Sequence, residues 1–382
     1  MNQFESKLPQ VGTSIFTEMS VMANQYKAIN LSQGFPEFDT PDFLKSKVSE
    51  LIEEGFNQYA PSSGMPDLLE QIGLLVERYY AVKLNPAETI TVTSGATEAI
   101  WVAIQTIVKQ GDEVIVFDPA YDSYEPSIEM AGGRCVHIPL HAPDYQIDWE
   151  QVKKAINSKT RAIIINSPHN PTGTLLRHED MLLLQEIILA HKLYLISDEV
   201  YEFITFDGER HESVLRYPQL FERAFVISSF GKTFHCTGWK LGYCCAPKAL
   251  TAEFRKIHQF VTFSSFTPAQ LGIAKMLENH PEHISELKNF YQQKRDHLVR
   301  ALQASRFKLL SSKGTYFVLV DYSEISSLDD RQFCHWLTQE IGVAAIPLSP
   351  FYQTSPDEKI VRLCFAKNDD TLQAAADKLC RL

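Results

Sequence analysis

From residue 89 onward the chain alternates short apolar, β-rich runs with stretches of helical period, and no other feature restricts its fold as much. Residues 89–93, 113–117, 161–165, 193–197, 224–228 and 241–246 read as strands; residues 96–109, which run to Gly111, and 179–191 read as helices. A strand followed by a helix and a second strand folds as a parallel pair with the helix across one face. The alternation therefore implies an α/β fold with a mostly parallel sheet covered by helices. After about residue 285 the rhythm changes to a charged helix through Arg300, a strand at 316–320, a helix at 330–340, a strand at 360–365 and a last helix from Asp369. That pattern reads as a smaller α+β domain. A length of 382 residues exceeds the usual single core. The expected division is a large domain at 41–284 and a small one at 285–382. Residues 1–40 carry too little pattern to fold alone and are expected to pack against both.

A formal net charge of −11 and a pI near 5.6 argue against an electrostatic nucleic-acid binder and leave no basic membrane patch. Any anionic ligand must then be held by a few local groups. The seven cysteines, at 135, 236, 244, 245, 334, 364 and 380, have neither metal-finger spacing nor a small disulfide framework, so they read as reduced thiols and no metal is expected. The first ten residues lack a basic stretch followed by an apolar one, and no run approaches ~18 apolar residues. A cytoplasmic chain is the expectation.

In open α/β sheets ligands bind beyond the carboxyl ends of the strands, so unusual residues there carry most information. The first strand runs through Ser94, Gly95, Ala96 and Thr97 into a helix, whose free N–H groups suit a phosphate. Residues 166–173, N-S-P-H-N-P-T-G, form a tandem Asn-and-Pro turn that can aim the Asn170 amide. Asp198 and Tyr201 follow the strand at 193–197, and a carboxylate at such a mouth needs a cationic partner. The segment 228–243, S-S-F-G-K-T-F-H-C-T-G-W-K-L-G-Y, places Lys232 and Lys240 eight residues apart. One suits an amine nucleophile and the other a phosphate partner. Taken singly, each has an ordinary explanation as a helix cap, a turn or a solvated charge. Together with the aromatic Tyr121, they are the parts that a pyridoxal phosphate site requires. A nucleotide phosphate loop is excluded because Val226 stands where its first glycine belongs, and no G-x-G-x-x-G follows the first strand.

The chain resembles the fold-type I, class I and II aminotransferases, and within them the methionine and kynurenine (glutamine transaminase K-like) branch. The resemblance runs through L-S-Q-G-F-P-E-F at 31–38, N-Q-Y-A at 57–60, D-P-A-Y-D-S-Y at 118–124, N-S-P-H-N-P-T-G at 166–173, S-D-E-V-Y at 197–201, the 228–243 segment and I-V-R-L-C-F-A-K at 360–367. The bacterial methionine enzymes look most similar, through I-F-T-E-M-S at 15–20 and V-A-A-I-P-L-S at 343–349. This resemblance implies a seven-stranded sheet and a cytoplasmic homodimer with shared sites. It makes Lys232 the lysine that carries pyridoxal 5′-phosphate covalently. Gly95, Ala96, Thr97, Ser229 and Lys240 would hold the phosphate, Tyr121 would stack on the ring, and Asn170 and Tyr201 would hold its oxygen. Asp198 would pair with the ring nitrogen, and Tyr59 would reach the phosphate of the neighbouring subunit. Arg362, with Asn170 and the backbone of Gly34, would take the substrate carboxylate.

Phe16, Tyr59 and Phe263 line the side-chain site in this reading, without a basic residue to pair a second carboxylate. Methionine is then the first choice of amino donor, ahead of phenylalanine and other bulky apolar amino acids, with a 2-oxo acid as acceptor in ping-pong turnover. Phe16 stands where the kynurenine enzymes tend to carry Trp. Kynurenine or glutamine transamination, a carbon–sulfur β-lyase on the same cofactor, and a non-catalytic relative are the alternatives; the presence of Lys232, Asp198 and Arg362 argues against the last.

Overall fold

The computed structural model describes residues 5–382, so residues 1–4 of the N-terminal stretch lie outside it. A seven-stranded sheet runs, edge to edge, through Ile90–Thr93, Gly242–Cys245, Ala224–Ser229, Tyr194–Asp198, Thr160–Asn166, Glu113–Asp118 and Arg134–Pro139. The five strands from Ala224–Ser229 to Arg134–Pro139 run parallel to one another; Gly242–Cys245 lies antiparallel to both Ile90–Thr93 and Ala224–Ser229. The expected sheet is present, with Arg134–Pro139 as a strand the sequence reading did not list. Its buried positions, Cys135 and Ile138, are out of the alternating register that marks a half-buried strand. The central strands are buried on both faces, as Ile163, Ile164, Leu195 and Ile196 illustrate, which suits a parallel sheet between two helical layers.

Within this frame the helix Gly95–Ile107 begins one residue earlier and ends two residues before the expected range. Its first residue has φ +78°, which glycine accepts without a Cβ clash. Helices Asp42–Glu53, Pro66–Tyr80, Lys248–Val261 and Thr267–Asn279 complete the cover. The last of these has ten buried residues out of thirteen, so it is apolar on nearly all sides and lacks a clear period in sequence.

A four-stranded sheet of order Ile346–Pro347, Ile360–Cys364, Phe317–Asp321 and Lys308–Leu309 is antiparallel throughout. Helices Glu282–Ala301 and Asp369–Leu379 pack on each other beside it. The helix Asp330–Trp336 is shorter than expected, because its backbone widens into a π turn at Leu337–Ile341. Near the N-terminus, Ile29–Asn30 pairs in parallel with Val343–Ala344. Further along, Leu31 O accepts from Cys364 N, and Thr40 Oγ1 donates to His235 O. The early segment thus touches both the four-stranded region and the end of the large sheet.

One ion pair links the long helix to the strand-end loops. Arg295 donates in a bidentate pair to Asp207, at 2.8 and 2.7 Å, and again to Ser312 O at 2.9 Å. The arginine, with Lys313 behind it, holds the Asp207 carboxyl at about 2, below the usual carboxylate range. A depressed carboxyl stabilises the fold above its unfolded pKa and loses that contribution as pH falls toward its folded one. Arg295→Leu is therefore expected to cost about 2 kcal/mol, less than a fully buried pair because Asp207 is partly exposed. Denaturant titration of both proteins should show that difference above about pH 4 and a smaller one near about pH 2.

Candidate active site

The carboxyl ends of the parallel strands open into a cavity of about 190 Å³. That is below the ~300–1,000 Å³ of sites for drug-sized ligands, and suits one small ring with an anionic tail. Gly95, Ala96, Thr97, Tyr121, Asn170, Asp198, Tyr201, Ser229, Lys232 and Lys240 all line it. Ten positions spread over 146 residues of sequence meet because the sheet brings the ends of five strands to one edge.

At one end stands the start of the helix Gly95–Ile107. A Cβ built on Gly95 would lie 3.4 Å from Lys240 Nζ, and one on Gly242 would lie 2.6 Å from Ser228 O and 3.0 Å from Ala96 N. The two glycines thus keep the turn open and let the Lys240 ammonium approach free backbone N–H groups. Ser229 opens onto the same end. Backbone donors, a hydroxyl and an ammonium form the donor set of a phosphate cradle.

Asp198 closes the opposite end, and only 4% of it is exposed. Burial raises its carboxyl to about 6, against the pull of a 2.6 Å hydrogen bond from Tyr124 Oη. Without a cationic neighbour closer than Lys232, it is poised to accept one. Asn166 Nδ2 donates to Asp198 O, and its Oδ1 accepts from Asn170 N at 2.8 Å. Asn166 therefore ties the Asn-Pro turn to the acidic strand end.

Lys232 sits between these ends. Its Nζ is 5.6 Å from the ring centres of both Tyr201 and Tyr316, and its nearest acceptor is Gly34 O at 3.4 Å. No salt bridge involves it among the described residues. Burial, with Lys240 and Arg362 nearby, lowers its ammonium to about 8.

Arg362 lies on the Ile360–Cys364 strand and is 1% exposed. Its Nη1 donates to Asn170 Oδ1 at 2.7 Å and its Nη2 to Ser32 O at 3.0 Å, while Nε has no partner. The Phe317 ring lies 3.8 Å beneath the guanidinium and Phe16 lies 5.4 Å away. Gly34 is glycine for a reason of space, since a Cβ there would lie 3.0 Å from the Phe317 ring. Arg362, Gly34 and Phe16 therefore come together on the lysine side of the cavity.

Tyr59 and Phe263 do not join them within one chain. They pack edge to face at 5.3 Å, with 83% and 47% of their surface exposed. Three residues that hold the site were not singled out from sequence. Tyr124 lies within the quoted D-P-A-Y-D-S-Y stretch, one helical turn from Tyr121. Tyr316 donates to Gly34 O at 2.6 Å and meets Tyr201 edge-on at 5.1 Å, and Phe317 floors Arg362. The last two read as ordinary strand residues.

A lowered lysine should react as a free amine at modest pH. Competitive labelling of Lys232 in the cofactor-free protein should follow an apparent pKa near about 8, with solvent lysines titrating near 10.4 as the internal reference.

The family model for aminotransferases of class I and II matches residues 26–379. The chain is 52% identical over 378 residues to methionine aminotransferase of Escherichia coli strain K12, covering 99% of this chain and 98% of that one. It is 37% identical to a probable N-succinyldiaminopimelate aminotransferase of Mycobacterium tuberculosis, over 98% of this chain and 97% of the other. In three dimensions it matches the crystal structure of an Escherichia coli protein identified as having a methionine aminotransferase function, with a TM-score of 0.98, 52% identity and full coverage of both chains.

Proposed function

Because the chain belongs to the class I and II aminotransferases, enzymes that work with pyridoxal 5′-phosphate, we propose that its amino donor is methionine or another bulky apolar amino acid. The acceptor is a 2-oxo acid. The cofactor would lie in the cavity, with its phosphate against Gly95, Ala96, Thr97, Ser229 and Lys240 and its ring against Tyr121. Asp198 would hold a proton on the ring nitrogen, and Asn170 and Tyr201 would donate to the ring oxygen. The paired glycines and the unpaired buried carboxylate support this fit.

Bound pyridoxal phosphate supplies a sink for the electron pair left on the substrate α-carbon when its proton departs. Lys232 is the group that moves that proton, because its lowered pKa leaves an appreciable share of free amine near neutrality. Tyr124 and Asn166 keep Asp198 in place. The aromatic walls of Tyr201 and Tyr316 exclude water from the lysine.

The donor assignment rests on one observation. Arg362 is a buried cation with an unpaired Nε and no carboxylate partner among the described residues, set between Phe16 and Phe317. Such a group calls for one carboxylate presented beside an apolar side chain. The relative from Mycobacterium tuberculosis carries the name of an acidic donor. Here the cations lining the cavity are Lys232 and Lys240, and both are assigned to the cofactor.

We further propose that two chains share their sites. Tyr59, Phe260, Phe263 and Phe266 leave 83%, 86%, 47% and 53% of their surfaces exposed, an apolar cluster that a second copy would cover. That would bring Tyr59 to the partner's phosphate and Phe263 to its side-chain pocket. In this reading a large domain at 41–284 lines the cavity, a small one at 285–382 brings Arg362 beside it, and 1–40 packs against both. The separate seven- and four-stranded sheets support that division. Among the described residues no helix is long and apolar enough to cross a membrane, which agrees with a cytoplasmic site of action.

A panel of amino donors and 2-oxo acids should give methionine the highest kcat/KM, phenylalanine a lower one, and aspartate and glutamate little. Pyruvate and ammonia released from a cysteine conjugate, with no transfer to any 2-oxo acid, would instead establish a lyase. Arg362→Leu should raise KM for methionine roughly 100-fold, in line with the ~2–3 kcal/mol of a charge-assisted pair. Tyr124→Phe removes a charge-assisted donor from Asp198 and should lower kcat about tenfold, measured by steady-state kinetics.

A further inference from the structure

Away from the cavity, at the edge strand Arg134–Pro139, three metal-ligating side chains converge from two elements. Cys135 and His137 are two residues apart, so they point to the same face of the strand. Glu125, in the first turn of the helix Tyr124–Met130, reaches over that face. One ligand atom from each lies within 4.8 Å of the others, and Glu125 Oε1 is 3.4 Å from His137 Nε2.

The imidazole is the informative member. Its side chain is 7% exposed, and its Nδ1 is bonded to Asp118 Oδ1 at 2.8 Å. A carboxylate can only accept there, so Nδ1 carries the proton. The opposite nitrogen, Nε2, is buried with no hydrogen-bond partner and points into the cluster. A carboxylate behind one ring nitrogen and an open second nitrogen is the arrangement that orients a metal-binding histidine. Asp118 is itself fixed, since its other oxygen accepts from Gln353 N at 2.8 Å.

We propose that Glu125, Cys135 and His137 bind a divalent cation of the zinc class, with Asp118 as the positioning residue behind His137. Sulfur, imidazole and carboxylate in one set suit zinc, which would leave a fourth position for water. Its bond lengths place ligand atoms roughly 3.3–3.7 Å apart. The His137–Glu125 separation already meets that spacing, and the half-exposed Glu125 is free to close on Cys135. Binding displaces the thiol proton of Cys135 and any proton on Nε2, with no change of oxidation state. Burial pushes the Cys135 thiol far up, helped by the negative field of Glu125, Glu129 and Asp118. The same negative field attracts a cation. The occupied site would pin the helix Tyr124–Met130 to the sheet edge, one residue from the tyrosine that bonds Asp198.

The test uses tag-free holoenzyme, stripped of metal by a chelator and titrated with Co²⁺. One equivalent per chain should bind with a thiolate charge-transfer band, and Zn²⁺ should displace it. Cys135→Ser should lose the band, and Asp118→Asn should weaken binding 10- to 100-fold. Glu125→Gln, at a half-exposed side chain that folding does not require, should weaken it at least tenfold with an unchanged circular dichroism spectrum. His335→Ala, in a surface pair with Glu18, should leave binding unaltered. Absence of a thiolate band in the wild type, or equal Co²⁺ affinity in Glu125→Gln and the wild type, would overturn the proposal.

Discussion

Three ionisable groups, Lys232 and Asp198 in the cavity and Arg362 beside it, come together without forming an ion pair among themselves. Burying charges unpaired is costly, and the chain tolerates the cost by keeping each one incompletely satisfied in a different way. Lys232 loses proton affinity, Asp198 gains it, and Arg362 keeps its charge with one nitrogen unbonded. A cofactor with a protonated ring nitrogen, an aldehyde carbon and a phosphate, followed by a substrate carboxylate, would offset each of these deficits in turn. Groups held incompletely satisfied in this way would be a physical source of affinity for the ligands.

Around that cavity two buried carboxylates each accept three hydrogen bonds. Glu202 accepts from Tyr80, Ser228 and Tyr243, and Glu199 accepts from Ser197, His211 and Val214 N. Ser228 is the residue before Ser229, and Tyr243 pairs with it across the antiparallel strands. The walls are thus fixed by buried polar groups that have their partners, while the groups facing inward lack theirs. Positioning of this kind keeps reacting groups in place before a ligand arrives.

Legibility in the sequence followed the same division. The strand-end residues Gly95, Asn170, Asp198 and Lys232 could be found because each breaks the local pattern at a place where ligands bind. Arg362 had only the resemblance to mark it, as a charged residue inside an apolar strand. Tyr316 and Phe317 gave no such signal, since aromatic residues suit a strand whatever they touch. The helix Thr267–Asn279 gave no clear period because it is buried on nearly all sides, whereas Asp42–Glu53, Pro66–Tyr80 and Lys248–Val261 carry one-sided buried stripes at helical spacing that were legible and went unread. The edge strand Arg134–Pro139 was hidden by its polar residues, and two of its members are the ones that meet Glu125.

The proposed function divides the work of the two lysines, so that Lys232 alone would bond covalently to the cofactor and Lys240 would serve only its phosphate. Reduction of the reconstituted protein with borohydride, followed by peptide mapping, tests it directly. A single pyridoxyl label on Lys232, unaltered in a Lys240→Ala protein that retains cofactor less well, is the predicted result. A label on Lys240, or on both lysines in comparable amounts, would contradict it.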